Sequence, residues 1–396
     1  MSDLSTSFGI DPEAPWVRKH NAQAAAVLEA FEADRPIRVP LINPDDLWQH
    51  GFYAQEVGLD YEQYYKDPDL MLRVQLEAAR RRREVPIYDF PLGVLPDSWR
   101  VAVDQHPVIP YGWVGCELIY QRDTVAAHRA LNLSREECRA MPMPDPQRGG
   151  ILQRIHDFAE YLKDRYENRI SFLGRPVGPI YPFVAAYGVF DLALAIRGQD
   201  IMVDMYEDPE FAASFLLKVA EWCEKLMDAW RRTRGAFWVE QDRPPLQHFS
   251  MSDHGIDMLS PELYERFLVP VILEINRRRG TRGGTKLHHC GRGEHLFPVI
   301  KRCFGLTQIE ALTHPYVDIA RVRSAIGEDV WIIGVVADDI VMKGPPEHIR
   351  QTVKDLMASG AKGRGRLALE IGDMLPGTPM EHRVAYYEAI KEFGTY

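Results

Sequence analysis

The feature that most limits how this chain can fold is a series of strand-like, largely apolar segments that alternates with helical segments after residue 284. The strand-like segments cover residues 285–289, 306–312, 330–336 and 367–371, and helical spacing fills the interval after each one. Strands that are apolar along nearly their whole length are typical of parallel sheets covered by helices on both faces. No Gly-x-Gly-x-x-Gly turn follows an early strand, which disfavours a dinucleotide-binding fold. We therefore predict an α/β fold, a distorted (β/α)8 TIM-type barrel.

The N-terminal part of the chain is less regular. Residues 1–15 are polar and turn-rich, and residues 17–33 have helical apolar spacing that ends before Pro36. We predict an irregular helical N-terminal extension over 1–35 and a single barrel domain over 36–396. Residues 86–115 are rich in Pro, Gly and aromatic side chains without a clean period. That segment is predicted to run over one face of the molecule and to contribute no core element.

The charge balance and the cysteines exclude several classes of protein. The chain has 47 Lys+Arg against 57 Asp+Glu, a net charge of −10, which disfavours binding to nucleic acid or to an acidic membrane. Its 5 cysteines are too few and too scattered for a disulfide framework. The first residues lack the apolar region of a signal peptide, and no apolar run reaches membrane-spanning length. We expect a cytoplasmic protein with reduced thiols.

Polar residues follow or close several of the predicted strands. In a (β/α)8 barrel the chemistry lies at the carboxyl ends of the strands, where the side chains converge. The residues predicted there are Asp253, His254, His288, Cys290, Glu310, Asp338, Asp339 and Glu370. The candidate substrate-binding residues are Asn43, Tyr181, Phe183 and Asp338.

The segment His288-His289-Cys290 carries the strongest chemical signal. Strand alternation places His288 and Cys290 on one face and His289 on the other, and imidazole and thiolate are ligands that zinc prefers. An unpaired carboxylate at Glu310 would be costly in a buried strand, and a metal or an arginine would relieve that cost. Each of these residues alone is more often a core histidine or a small buried thiol. Together they favour a metal site with His288, Cys290 and Glu310 as ligands.

The other strand-end residues have predicted catalytic roles. Asp253 and His254 would supply hydrogen bonding or proton transfer, and Glu370 would act as reserve ligand or base. A zinc ion at this place would polarise a substrate oxygen or sulfur as a Lewis acid.

Four segments resemble the uroporphyrinogen decarboxylase-like superfamily, closest to its zinc-dependent cobamide methyltransferase branch. They are 253–264, the His-x-Cys-Gly segment 287–291, Glu310, and Leu375-Pro376-Gly377-Thr378-Pro379. The resemblance covers nearly the whole chain and implies a distorted barrel with a deep funnel. It also implies zinc ligands at His288 and Cys290, and it aligns Glu310 with an additional glutamate ligand. The branch's second cysteine aligns with Gly372, so that ligand is missing here.

These features lead to one function and two open alternatives. We expect a metal-assisted methyl (or alkyl) transferase that acts on a small methoxylated or thiol substrate. The resemblance implies a corrinoid protein that carries cobalamin as partner, and a second copy of the chain is a further candidate partner. Porphyrinogen decarboxylation is disfavoured, because Asn43-Pro44-Asp45-Asp46 replaces the arginine clamp after Ile42. The alternatives are a metal-dependent lyase or decarboxylase of a small (aromatic) acid, and a non-catalytic barrel that binds a corrinoid or small ligand.

Overall fold

The computed structural model describes residues 9–42, 60–184, 188–231, 249–279, 284–372 and 377–396. Its strands are β1 Leu41–Ile42, β2 Trp99–Val103, β3 Glu117–Ile119, β4 Ala127–Arg129, β5 Ser171–Phe172, β6 Arg175–Pro182, β7 Phe249–Ser252, β8 Thr285–His288, β9 Leu306–His314, β10 Trp331–Val336 and β11 Leu367–Glu370. Its α-helices are Pro15–Glu32, Tyr61–Lys66, Pro68–Arg81, Ile109–Trp113, Arg135–Ala140, Ile151–Tyr166, Val189–Arg197, Asp200–Glu207, Pro209–Arg231, Pro261–Leu263, Val269–Arg279, Phe297–Phe304, Ile319–Ile326, Asp338–Lys343, Pro346–Ala358 and Met380–Phe393. A 3-10 turn spans Gly255–Met258 and a π-helical turn spans Tyr264–Leu268.

The parallel strands form two arcs of a barrel. Six of them pair in the order β1-β11-β10-β9-β8-β7, every pair parallel, and β2 pairs with β6 in parallel as a second arc. The described part of the chain therefore supplies eight parallel strands, in the chain order that the apolar repeats predict. None of the described helices combines the length and the apolar character needed to cross a membrane.

Strand β2 corrects the prediction for residues 86–115. These residues were predicted to contribute no core element, but Trp99, Val101 and Val103 in β2 are buried. The indole Nε1 of Trp99 donates to the carbonyl of Phe172 at 2.6 Å, which fixes the strand against its neighbour. Five residues between turn-rich flanks are too few to show a period, so the sequence pattern concealed a buried strand.

The N-terminal helix packs directly on the barrel. The ring of Phe31 meets that of Trp331 at 4.7 Å between centroids, and Arg366 pairs with Asp34 at 2.8 Å. The division of the chain at residue 35 stays a prediction.

Strand β9 is longer than predicted, which changes the position of Glu310. The strand continues to His314, so Glu310 lies within it and not at its end. The pairing register with β10 slips between Ile333 and Gly334, and Ala311 has a φ of 67°, as expected for a bulge residue. On the other side of β9, the register with β8 slips between Thr285 and Lys286, and beyond that slip Glu310 lies opposite His288. Glu310 is therefore level with the end of the neighbouring strand.

Candidate functional site

Two histidines and one cysteine meet at the carboxyl ends of β7 and β8. His254 lies just after β7, and His288 is the last residue of β8, with Cys290 two residues further. Ser252 pairs with His288 in the sheet, so the two strands end at the same level. The ligand atoms of the three side chains all lie within 4.8 Å of one another. The two imidazole ring centroids are 5.5 Å apart.

A carboxylate stands behind each imidazole. His254 Nδ1 lies 3.0 Å from Oδ2 of Asp191, and His288 Nδ1 lies 3.2 Å from Oε1 of Glu310. Each Nδ1 donates to its carboxylate, and both rings also hydrogen-bond the sulfur of Cys290. Because Nδ1 is engaged by the carboxylate, we infer that Nε2 makes the contact with the sulfur. Carboxylates at this position are typical of metal-binding histidines, because they fix the ring and its tautomer.

The three side chains strongly shift one another's pKa. Cys290 is exposed as a residue, but the protein around its sulfur removes it from water, which by itself raises the pKa of the thiol. Hydrogen bonds and charge from His254 and His288 outweigh this desolvation and lower the pKa of the thiol to about 6. Burial lowers the pKa of both imidazoles, but their bonds to Cys290 and to the carboxylates raise it to about 10 for His254 and about 9 for His288. Without a metal, the group is therefore a thiolate between two imidazolium rings at neutral pH.

This charge state predicts how Cys290 reacts in metal-free protein. Below pH 6 the thiol is protonated and inert, and above it the folded protein holds a thiolate, whereas an ordinary thiol ionises near 9.0. We expect iodoacetamide to alkylate Cys290 with a midpoint near pH 6, measured by mass spectrometry of the peptide that contains it. Urea-unfolded protein and a His254→Gln/His288→Gln double variant should both move the midpoint towards 9. An unchanged midpoint in the double variant would contradict this account.

His289 and Asp253 lie on the other side of the strand ends. His289 is fully buried, and its Nδ1 bonds the carbonyl of Asp253 at 2.9 Å, as strand alternation predicts. Asp253 is also buried, and its carboxylate accepts the backbone N–H groups of Phe190 and Asp191 at 3.1 Å each. Burial and the charge of Asp191 raise its pKa well above the usual value. Asp253 thus supports the backbone of the site, and its part in proton transfer stays a prediction.

Glu370 and Asp338 lie at the ends of β11 and β10. The hydroxyl of Tyr386 donates to the backbone carbonyl of Glu370 at 3.0 Å. Burial is the main cause that raises the pKa of Tyr386, and the charges of Glu370 and Asp338 raise it further. The position aligned with the missing cysteine, Gly372, has a φ of 75°. A Cβ there would lie 2.3 Å from Oδ1 of Asp338 and 2.7 Å from Cγ2 of Val335. The backbone at Gly372 therefore has no room for a side chain, and the roles of Glu370 and Asp338 stay predictions.

The remaining predicted substrate residues have different outcomes. Asn43 lies outside the described residues. Tyr181 pairs with Ala102 across β6 and β2, and Phe183 donates its backbone N–H to Val103 at 3.1 Å. Both aromatic residues are half-buried, and their contact with substrate stays a prediction.

Three residues near the cluster were not predicted from the sequence. Asp191 lies in the first turn of the helix after β6, a position equivalent to that of Asp338 after β10, and this equivalence could have revealed it. His106, after β2, is buried, and that burial lowers its pKa to about 3, so it is neutral beside the two charged rings. Tyr111 stacks on His128 at 3.7 Å between centroids.

Fold and site together define a (β/α)8-barrel protein with a His-His-Cys cluster at the carboxyl ends of its strands. The family model described as Uroporphyrinogen decarboxylase (URO-D) matches residues 48–393, so the chain belongs to this enzyme family. A solved structure, a methyltransferase from Methanosarcina mazei, is similar with a TM-score of 0.60 at 16% identity over 93% of this chain and 98% of that chain. These matches confirm the predicted barrel. No curated protein sequence matches the chain.

Proposed function

We propose that this protein is a zinc-dependent methyltransferase that holds one zinc ion on His254, His288 and Cys290. The observation that carries the proposal is the approach of the three ligand atoms to within 4.8 Å of one another. Catalytic zinc sites commonly have three protein ligands and keep one position for water or substrate. Compared with the ligand set predicted from sequence, His254 replaces Glu310, and Glu310 becomes the residue that orients His288.

The donor set fits zinc chemically. Soft thiolate and borderline imidazole ligands select zinc over magnesium or calcium, which take oxygen ligands. The side chains of His254 and His288 are 32% and 26% exposed, so a small substrate can reach them. When bound, zinc would supply Lewis-acid chemistry that lowers the pKa of a substrate thiol or hydroxyl.

The protein's own groups would hold the protons in place. Cys290 binds as a thiolate, which its lowered pKa already favours at neutral pH. His254 and His288 each release the proton on Nε2, while Asp191 and Glu310 keep the proton on Nδ1.

The substrate we propose is a small thiol or methoxylated compound. A corrinoid protein with cobalamin as its methyl carrier is proposed on the family resemblance and on the similarity to the methyltransferase from Methanosarcina mazei. With one thiolate in place of two, the zinc would be a harder Lewis acid than in a two-cysteine site and better suited to an oxygen ligand.

Metal analysis and a transfer assay test this function. Protein purified without chelator is expected to carry about one zinc per chain and to move a methyl group from methylcobalamin to a thiol or from a methoxylated compound to a corrinoid. Cys290→Ala should lose both properties, whereas Cys303→Ala, a second free cysteine outside the cluster, should keep both. Protein that contains only trace zinc even after incubation with the metal would contradict the proposal. Full zinc without any transfer would instead favour a barrel that only binds its ligand.

A further inference from the structure

The two segments that hold His254 are joined by a reciprocal set of hydrogen bonds. Asp253 accepts the N–H groups of Phe190 and Asp191, and Asp191 in turn accepts those of His254 at 2.9 Å and Gly255 at 2.7 Å. We call this pair of carboxylates and their four backbone donors the Asp191–Asp253 bracket. It connects the start of helix Val189–Arg197 to the segment after β7.

The bracket depends on close approach of the two segments. A Cβ at Gly188 would lie 1.9 Å from Cγ of Asp253, so only glycine leaves room for that carboxylate. At Gly255 a Cβ would meet Cδ1 of Leu194 at 2.5 Å. The close approach is therefore built into the backbone, and two buried side-chain carboxylates bridge it.

Asp191 has a third contact, to the ring of His254. Its Oδ2 lies 3.0 Å from Nδ1 of that ring, so both carboxylate oxygens are engaged, and the residue is only 7% exposed. We propose that Asp191 is the positioning residue that holds His254 with its proton on Nδ1 and its Nε2 directed at Cys290. This inference rests on the proposed zinc site and names the residue that prepares it.

The second imidazole is held less firmly. Glu310 is 32% exposed as a side chain, and its other contact is to the side chain of Gln308 at 3.2 Å. Glu310 therefore has neither the burial nor the backbone donors that fix Asp191. The carboxylate behind His254 is therefore held by more contacts than the one behind His288.

Asparagine has nearly the size of aspartate, but it carries no charge and one of its two acceptor oxygens is replaced by a donor NH2 group. Replacing Asp191 with asparagine therefore tests charge and hydrogen-bond direction at nearly constant size. If the amide oxygen still accepts from Gly255, the amide NH2 faces two donors, the backbone N–H and the ring Nδ1–H of His254. The ring then loses its Nδ1 proton and keeps the one on Nε2, the atom that the metal needs. If the amide turns over, its neutral oxygen replaces the carboxylate as the acceptor of the Nδ1–H, and that hydrogen bond is weaker. Loss of a residue that orients a metal ligand typically lowers metal affinity about 10–100-fold.

Two measurements on the full-length protein test this role. The first is the downfield proton resonance of the His254 Nδ1–H, assigned by its disappearance in His254→Gln and observable without metal. The second is zinc affinity by competition with a chromogenic chelator. Asp204→Asn is the matched control, because Asp204 is also buried and bonds charged groups, Arg135 and Arg197, away from the cluster.

We expect wild type and Asp204→Asn to show the resonance and bind zinc equally. Asp191→Asn should lose the resonance or shift it upfield, and should bind zinc about 10–100-fold more weakly. A resonance unchanged in position, or zinc affinity within twofold of Asp204→Asn, overturns the inference. If Asp191→Asn does not fold, Asp191→Glu keeps the charge but displaces it, and the same two readouts decide. If no variant binds zinc, the resonance still decides the role of Asp191, and the proposed function alone fails.

Discussion

Replacing His254 with alanine is expected to lower the zinc affinity of this protein by roughly a hundred- to a thousandfold, because it removes a direct ligand. Four-ligand structural zinc sites bind with about 10–16 kcal/mol, so each ligand contributes about 2.5–4 kcal/mol. Only His288 and Cys290 of the cluster would remain. The measurement is zinc competition with a chromogenic chelator at fixed pH, supported by metal content after dialysis.

The Glu310→Gln variant tests which of two ligand sets binds the zinc. The sequence favours Glu310 as the third ligand beside His288 and Cys290, and the structure favours His254 in that place. Glu310 touches Nδ1 of His288, so its loss should cost about 10–100-fold, the effect of removing an orienting residue. His295→Ala is the histidine control, because His295 bonds the carbonyl of Leu259 and lies outside the cluster. If Glu310→Gln loses as much affinity as His254→Ala, glutamate is a direct ligand, as predicted from the sequence.

Gly372→Cys is expected to destabilise the protein by about 2–6 kcal/mol and to add no second thiolate. A side chain at a φ of 75° costs about 1–3 kcal/mol, and the contacts of its Cβ with Asp338 and Val335 add an overpacking cost of about 1–3 kcal/mol. Urea unfolding gives the change in free energy of unfolding, and the chelator assay gives the zinc affinity.

Two alanine variants divide that cost into its parts. Gly372→Ala meets the same neighbours without a thiol, so it should lose nearly as much stability as Gly372→Cys. Gly360→Ala has a φ of 96° with nothing within 4 Å of the added carbon, so it should show the backbone cost alone. A Gly372→Cys protein as stable as wild type that binds zinc more tightly would show that the backbone adjusts and admits the second thiolate.

The fold was predictable where the signal repeats. Strands β8 to β11 are separated by clear helices, and β10 and β11 are apolar along nearly their whole length, so the pattern indicates a parallel barrel. Some helix starts also carry a local signal, since the side chains of Asp67 and Ser134 each accept a backbone N–H as N-caps. Strand β2 was not predictable, because its burial arises from pairing with β6, about 79 residues later in the chain.

The site was predictable only where it is local in sequence. His288 and Cys290 are two residues apart at the end of one strand, so alternation brings them to one face. His254 was predicted as a proton-transfer residue, because its approach to Cys290 depends on Asp191, which lies 63 residues away. The place of Glu310 opposite His288 depends on a register slip between β8 and β9, which the pattern of apolar residues does not show.

The Asp191–Asp253 bracket also has a consequence for motion. Each of its carboxylates lies on one segment and accepts N–H groups from the other, so neither segment can leave without breaking the partner's bonds. The start of helix Val189–Arg197 and the segment after β7 should therefore open as one cooperative unit, and their amide hydrogens should exchange with solvent at a common rate. The ring of His254 would then leave its place in the cluster only when the start of the helix opens, in a single event.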